Sequence, residues 1–214
     1  MEPFIRYNRG LTDYNRIKAL LYIPPLPDNW ESFGNSFTRW LGRTLFSAMG
    51  WSFSGELPNH PKLMFVVAPH TSNWDFFIGL FGMLAIGFKG RWLGKHSLFV
   101  WPIKGLMTGL GGIPVYRHAP RGMVEQVVDQ FQQHSRLHLA VTPEGTRAKV
   151  GAFKNGFLRI AIGAQVPVAP VGFDYRDKKI VFGELFYPTG DLAQDERTCY
   201  QYFTRFTAKY PQNY

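Results

Sequence analysis

From Lys62 onward the sequence alternates between short apolar runs and longer amphipathic stretches, and this alternation limits the fold more than any other feature. Strands are read at Leu63 to Ala68, near Arg91 to Gly94, at Ile113 to Tyr116, Leu137 to Val141, Val168 to Phe173 and Ile180 to Phe186. Helices are read between and after them, over about Trp74 to Phe88, Trp101 to Thr108, Met123 to near His134, Phe153 to Ala164 and about Glu196 to Lys209. Strands separated by helices return to a sheet as parallel neighbours, so the expected fold class is α/β. It is a single domain with a mixed, mostly parallel sheet flanked by helices.

The Pro24, Pro25, Pro27 cluster sets apart an N-terminal segment, 1–60, from the domain expected over 61–214. Within that segment Phe33 to Met49 reads as an amphipathic helix. Phe33, Phe37, Trp40, Leu41, Thr44, Leu45 and Met49 share one face, Arg39 and Arg43 lie opposite, and Phe46 breaks the pattern. Two readings stay open: a helix lying on an anionic bilayer surface, or one packed against its own domain. The apolar run from Phe76 to Phe88 falls short of the roughly 20 residues that span a bilayer. Ser97 to Tyr116 is broken by Pro102, Pro114 and several glycines, so no spanning helix is expected.

Composition narrows the rest. With 45% hydrophobic and 18% charged residues the chain can bury a sizeable core, which excludes disorder. The single cysteine, Cys199, allows neither an intrachain disulfide nor a thiolate metal cage and suits a reducing cytoplasm. A net charge of +9 points toward phosphates, anionic membranes, acidic carrier proteins or nucleic acid.

Polar residues gather in loops that follow the strands, where sites of α/β sheets form. The first loop reads Pro69, His70, Thr71, Ser72, Asn73, Trp74, Asp75. An imidazole can take a proton near neutral pH, and a carboxylate on its other nitrogen fixes the tautomer. Positions five apart diverge by about 140° on an ideal helix, so His70 and Asp75 meet only if a turn precedes the helix. The second segment, Gly111 to Arg117, is a strand ending in a permanent planar cation suited to phosphate or carboxylate oxygens. In the third, Thr142, Pro143, Glu144, Gly145, Thr146 and Arg147 form a turn in which Gly145 allows close backbone approach to an anion and Thr146 and Arg147 supply donors. The fourth, Val166 to Val171, reads as a sheet edge with a packing role.

In this order HTSNWD, GGIPVYR, TPEGTR and VPVAPV resemble the four motif blocks of the 1-acylglycerol-3-phosphate acyltransferase family, over roughly His70 to Val171. The resemblance implies a mixed α/β domain that moves an acyl group from an acyl-CoA or acyl-carrier-protein thioester to a hydroxyl of a lysophospholipid or glycerol-phosphate acceptor. It implies that His70 is the base and Asp75 its orienting partner, and that Arg117, Glu144, Gly145, Thr146 and Arg147 line the acceptor site. A cytoplasmic protein, peripheral on the inner face of an anionic membrane, follows, with lysolipid and acyl donor as partners. No cofactor beyond the acyl co-substrate and no metal are implied.

A thioester is already activated, so deprotonation, positioning and oxyanion stabilisation suffice. The sequence has no GxSxG elbow, and amides around Thr71 to Asn73 are candidate oxyanion donors. The apolar helix after Asp75, with its small residues Gly79, Gly82 and Ala85, reads either as the wall of an acyl groove or as a core helix. No P-loop is present, and His134 and His138 straddle a helix end with no carboxylate between them, so neither ATP nor a metal is indicated. The absence of a recognisable nucleic-acid motif ranks that partner low and none is expected. A thioesterase, with the base acting on water, and a non-catalytic lipid-binding protein are the alternatives.

Overall fold

The structure, a computed structural model, describes residues 22–116 and 122–214. Seven strands form one sheet in the order β1-β7-β6-β2-β5-β3-β4. They are β1 (Ser52–Ser54), β2 (Lys62–Ala68), β3 (Gly90–Lys95), β4 (Gly112–Val115), β5 (Leu137–Val141), β6 (Val168–Asp174) and β7 (Lys179–Phe182). All pairs are parallel except β6 with β7. The helices are α1 (Ser36–Ala48), α2 (Asn73–Ile86), α3 (Lys104–Gly109), α4 (Met123–Gln133), α5 (Gly156–Ala164) and α6 (Leu192–Phe203). The expected α/β class, with its mixed and mostly parallel sheet, is the fold observed.

Alternating side chains of the central strands feed two cores, one on each face. From β2, Met64, Val66 and Ala68 join Val127 and Phe131 of α4, Leu158 of α5 and Phe203 of α6. Its other side chains, Leu63 and Phe65, join Trp30, Phe46 of α1, Phe53 of β1 and Ile78 of α2. Strand β1 was not expected; three residues are too few to show a period, and it is held by its pairing with β7.

Phe46, the residue out of pattern in α1, is the one that anchors the helix: it is fully buried and stacks on Phe53 at 4.5 Å. A Cβ on Gly42 would meet Ala85 N at 2.6 Å, so only glycine lets α1 lie this close to α2. The expected apolar face is divided: Phe37 and Trp40 are exposed, Phe33, Leu41 and Leu45 are half-buried, and Met49 packs against the core. The helix starts at Ser36 because Asn35 and Thr38 form a reciprocal cap, while the Phe33 N–H is taken by Gly87 O.

The fourth segment is not a sheet edge. Strand β6 lies between β2 and β7 and is buried along its whole length. Pro170 is tolerated there because its nitrogen faces the side where β7 has already ended at Phe182, and its carbonyl accepts from Gly183 N–H at 2.8 Å. Strand β7 is correspondingly shorter than expected, with Phe186 returning only as an isolated bridge to Val168. Helix α6 begins earlier than expected, where Asp191 caps the amides of Ala193 and Gln194.

Candidate active site

Three adjacent strands deliver the site from their carboxyl ends: β2 leads into His70, β5 into Glu144 and β6 into Tyr175. Helix α2 opens with a capping box in which Ser72 Oγ accepts from Trp74 N–H and Asp75 reaches back to Ser72 N–H. This cap is the turn that the His70 and Asp75 spacing requires. It brings His70 Nδ1 to 3.1 Å from Asp75 Oδ2.

Asp75 is almost wholly buried, and every bond around it opposes its rotation. Its Oδ2 accepts from the amides of Thr71 at 2.9 Å and Ser72 at 2.8 Å, and its Oδ1 accepts from the Tyr175 hydroxyl. With Nδ1–H donated to Asp75, the lone pair of His70 lies on Nε2, and the ring is partly open to solvent. Thr71 and Ser72 were candidate oxyanion donors, but their amides are taken by Asp75. Asn73 N–H remains as the unbonded amide of the three among the described residues.

Glu144 is hydrogen-bonded to the backbone of His70. Its Oε1 accepts from the backbone N–H of His70 at 2.9 Å, while Oε2 is buried with no hydrogen-bond partner among the described residues. Burial pushes its carboxyl up to about 7, against the opposing pull of the backbone amides of Glu144 and His70. The Tyr214 hydroxyl is also buried and unpartnered, and burial with the nearby Glu144 charge raises it.

The structure therefore brings together His70, Asp75 and Glu144. Gly145, Thr146 and Arg147 occupy the exposed turn that follows. Gly145 takes φ +63°, and its N–H closes the turn onto Thr142 O, so this amide is not presented to a ligand. Arg147 forms no salt bridge among the described residues, and Arg117 lies outside them.

Sequence reasoning missed Tyr175, which is 100 residues from Asp75 along the chain. It also missed the segment after α6, where Thr207 O accepts from Tyr175 N–H and Tyr210 N–H donates to Thr71 Oγ1. Lys209 adds a cation 4.8 Å from the centre of the Trp74 ring, and Lys154 lies against Gly145. Only the positive charge of these lysines was legible in advance.

Gly82 and Ala85 of α2 do not floor a groove. A Cβ on Gly82 would lie 3.1 Å from Ile180 and 3.2 Å from Phe53, and Ala85 is buried under α1. The side of α2 left open carries Trp74 and Phe77. No helix among the described residues is long and apolar enough to cross a membrane, and none of them form a cluster that could hold a metal ion.

A buried carboxylate orienting an imidazole at the carboxyl ends of a parallel sheet defines a site able to take a proton from a hydroxyl. The Acyltransferase family model matches residues 54–174, more than half of the chain, and the chain belongs to that family. It is 31% identical over 107 residues to the chloroplastic 1-acyl-sn-glycerol-3-phosphate acyltransferase BAT2 of Brassica napus, covering 48% of this chain and 31% of that protein. Against the chloroplastic LPAT1 of Arabidopsis thaliana the figures are 30% over 111 residues, 49% and 31%. The chain thus spans about a third of the length of these curated relatives. Its fold is similar to the crystal structure of the 1-acyl-sn-glycerophosphate acyltransferase PlsC from Thermotoga maritima, with a TM-score of 0.53, 19% identity and 80% of each chain covered.

Proposed function

We propose that this protein transfers a fatty acyl group from a thioester, acyl-CoA or acyl-carrier protein, to the free hydroxyl of a lysophosphatidate-type acceptor. The observation that carries the reading is the His70 Nδ1 to Asp75 Oδ2 contact of 3.1 Å, which leaves Nε2 free to accept a proton within a chain of this family. His70 Nε2 takes the acceptor hydroxyl's proton as the oxygen attacks the thioester carbonyl. A tetrahedral oxyanion forms; the C–O bond is made and the C–S bond breaks, and the imidazolium returns its proton to the departing thiolate. Asp75 stabilises the imidazolium, and its four anchoring contacts keep it in place through the cycle. Asn73 N–H is the candidate oxyanion donor.

No enzyme nucleophile is required. Cys199 is buried and its thiol is pushed up to about 12, first by burial, so it supplies no thiolate. Arg117 and Arg147 are the proposed anchors for the acceptor's phosphate, and Gly145 and Thr146 shape that turn. The names of the curated relatives support the phosphate-bearing acceptor. The lipid acceptor is drawn from an anionic membrane surface, a partner consistent with the net charge of +9 and the exposed Phe37 and Trp40 of α1.

Turnover of labelled acyl-CoA and of labelled acyl-carrier protein, each with and without lysophosphatidate, tests the reading. Label appearing in phosphatidate supports transfer. Free fatty acid formed equally in both conditions would make the protein a thioesterase, and donor binding without turnover would make it a lipid-binding protein.

A further inference from the structure

Residues 98–106, between β3 and the end of the first turn of α3, carry Leu98, Val100, Trp101, Ile103 and Leu106 on the outside of the molecule. Trp101 is 90% exposed, more than any other large hydrophobic residue among those described. The segment is held firmly from below. Phe99 is buried, stacks on Trp92 at 5.9 Å and fills the space left by glycines 94 and 112, while Trp92 Nε1 donates to Leu110 O at 3.0 Å. The apolar side chains around Phe99 are thus presented on a fixed base.

Charge on this part of the chain has one sign. No Asp or Glu stands between Asp75 and Glu125, whereas Lys89, Arg91, Lys95 and Lys104 all lie in that interval. Lys95, just before the apolar residues, and Lys104, among them, are both exposed, and His96 stacks on the exposed Tyr116. The register adds position: Trp92 pairs with Ala140, and Ala140 pairs with Phe65, so Lys95 is level with Ala68 at the carboxyl edge of the sheet. Lys95, three residues before the apolar segment, therefore stands two strand spacings or about 10 Å from the strand end that leads into the His70 loop. Ring contacts from Trp74 through Phe77, Phe76 and Trp92 to Phe99 join the two.

We propose that residues 98–106 form a wedge that seats the rim of the active site in the surface of an anionic phospholipid bilayer. A bilayer offers apolar depth for Trp101 and Leu106 and negative headgroups for Lys95 and Lys104. A second copy of the chain docked on the same patch would set these cations against their own equivalents, and an acidic protein would match the lysines but leave five apolar side chains to cover. The wedge rests on the reading of the acceptor as a lipid and deepens it: the open Nε2 of His70 would face the layer from which the acceptor comes.

The test is co-sedimentation of the full chain with phosphatidylcholine vesicles and with vesicles that also contain phosphatidylglycerol, in the absence of substrates. Trp101→Ser with Leu106→Ser should weaken binding to both vesicles by about tenfold or more, because each removes a large apolar side chain from the interface. Lys95→Gln with Lys104→Gln should weaken binding only to the anionic vesicles and only at low salt. All four positions are exposed, so the melting temperature should not move. Transfer to a short-chain, water-soluble lysophosphatidate should be unchanged in both variants. Wild-type vesicle binding by the Trp101, Leu106 variant would overturn the wedge, as would a self-association in solution that this variant abolishes without any vesicle binding by the parent. Failure of the parent to acylate the soluble acceptor would instead count against the proposed reaction and leave the vesicle result readable.

Discussion

Replacing Glu144 by Gln should change the pH dependence of stability in a way that only a buried carboxyl explains. The folded-state value of about 7 stands against an ordinary value of 4.5. Between these limits the folded chain retains a proton that the unfolded chain has released, so stability falls as pH rises from 4.5 to about 7 and stays at the lower level above. The gap corresponds to on the order of 3 kcal/mol. A second buried group acts in the opposite sense. His138 sits among Trp30, Phe65 and Phe88, with Nε2 donating to His60 O at 2.9 Å, and burial lowers it from 6.5 to about 4. The unfolded chain takes up a proton that the folded chain refuses, so this contribution grows as pH rises from about 4 to 6.5. In the wild type the two slopes oppose each other between 4.5 and 6.5. Glu144→Gln keeps an acceptor for the His70 amide and removes one slope. Urea denaturation of both proteins from pH 4 to 8 should show the variant gaining on the wild type steadily up to about pH 7 and ahead by on the order of 2 to 3 kcal/mol at pH 8. A constant difference between the two curves would refute the argument, because Glu144 would then ionise like an exposed carboxylate.

Tyr175→Phe removes the only hydrogen bond to Asp75 Oδ1 among the described residues. It should cost about 1.5 to 3 kcal/mol of stability and lower kcat with little change in KM, measured by denaturation and steady-state kinetics. Gly42→Val should separate α1 from α2, lowering the melting temperature without altering KM for the acyl donor. Gly82→Leu should overpack Phe53 and Ile180, costing about 1 to 3 kcal/mol and leaving acyl-chain preference flat across a donor series. Arg117→Ala and Arg147→Ala should raise KM for a phosphate-bearing acceptor more than for the acyl donor, with Lys restoring only part of the loss.

The sheet was legible because β2 and β6 are apolar runs, and β5 is one broken only by His138, as strands of a sheet covered on both faces are. The turn between His70 and Asp75 was legible as a requirement, because five positions diverge by about 140° on a helix, whereas the capping box of Ser72 and Asp75 that supplies it was not read in advance. What escaped depended on contacts distant in sequence. Tyr175 has no local pattern, and its role exists only because β6 ends beside β2. Pro170 suggested an edge because sequence cannot say that β7 stops opposite it. In α1 a single face was sought, yet the helix has two: Phe46 and Gly42 pack inward, while Phe37 and Trp40 point outward. The turn after Glu144 was identified correctly, but not that Gly145 spends its amide on closing it.

The proposed reaction depends most on His70 as the base, and the most direct measurement is acyl transfer by purified His70→Ala. The imidazole is partly exposed on a loop and contributes little to the core, so the variant should fold, as its circular dichroism spectrum would show. General-base catalysis contributes roughly 10²- to 10⁴-fold, and transfer to lysophosphatidate should fall by at least that lower figure. A folded His70→Ala protein that retains wild-type turnover would contradict the mechanism.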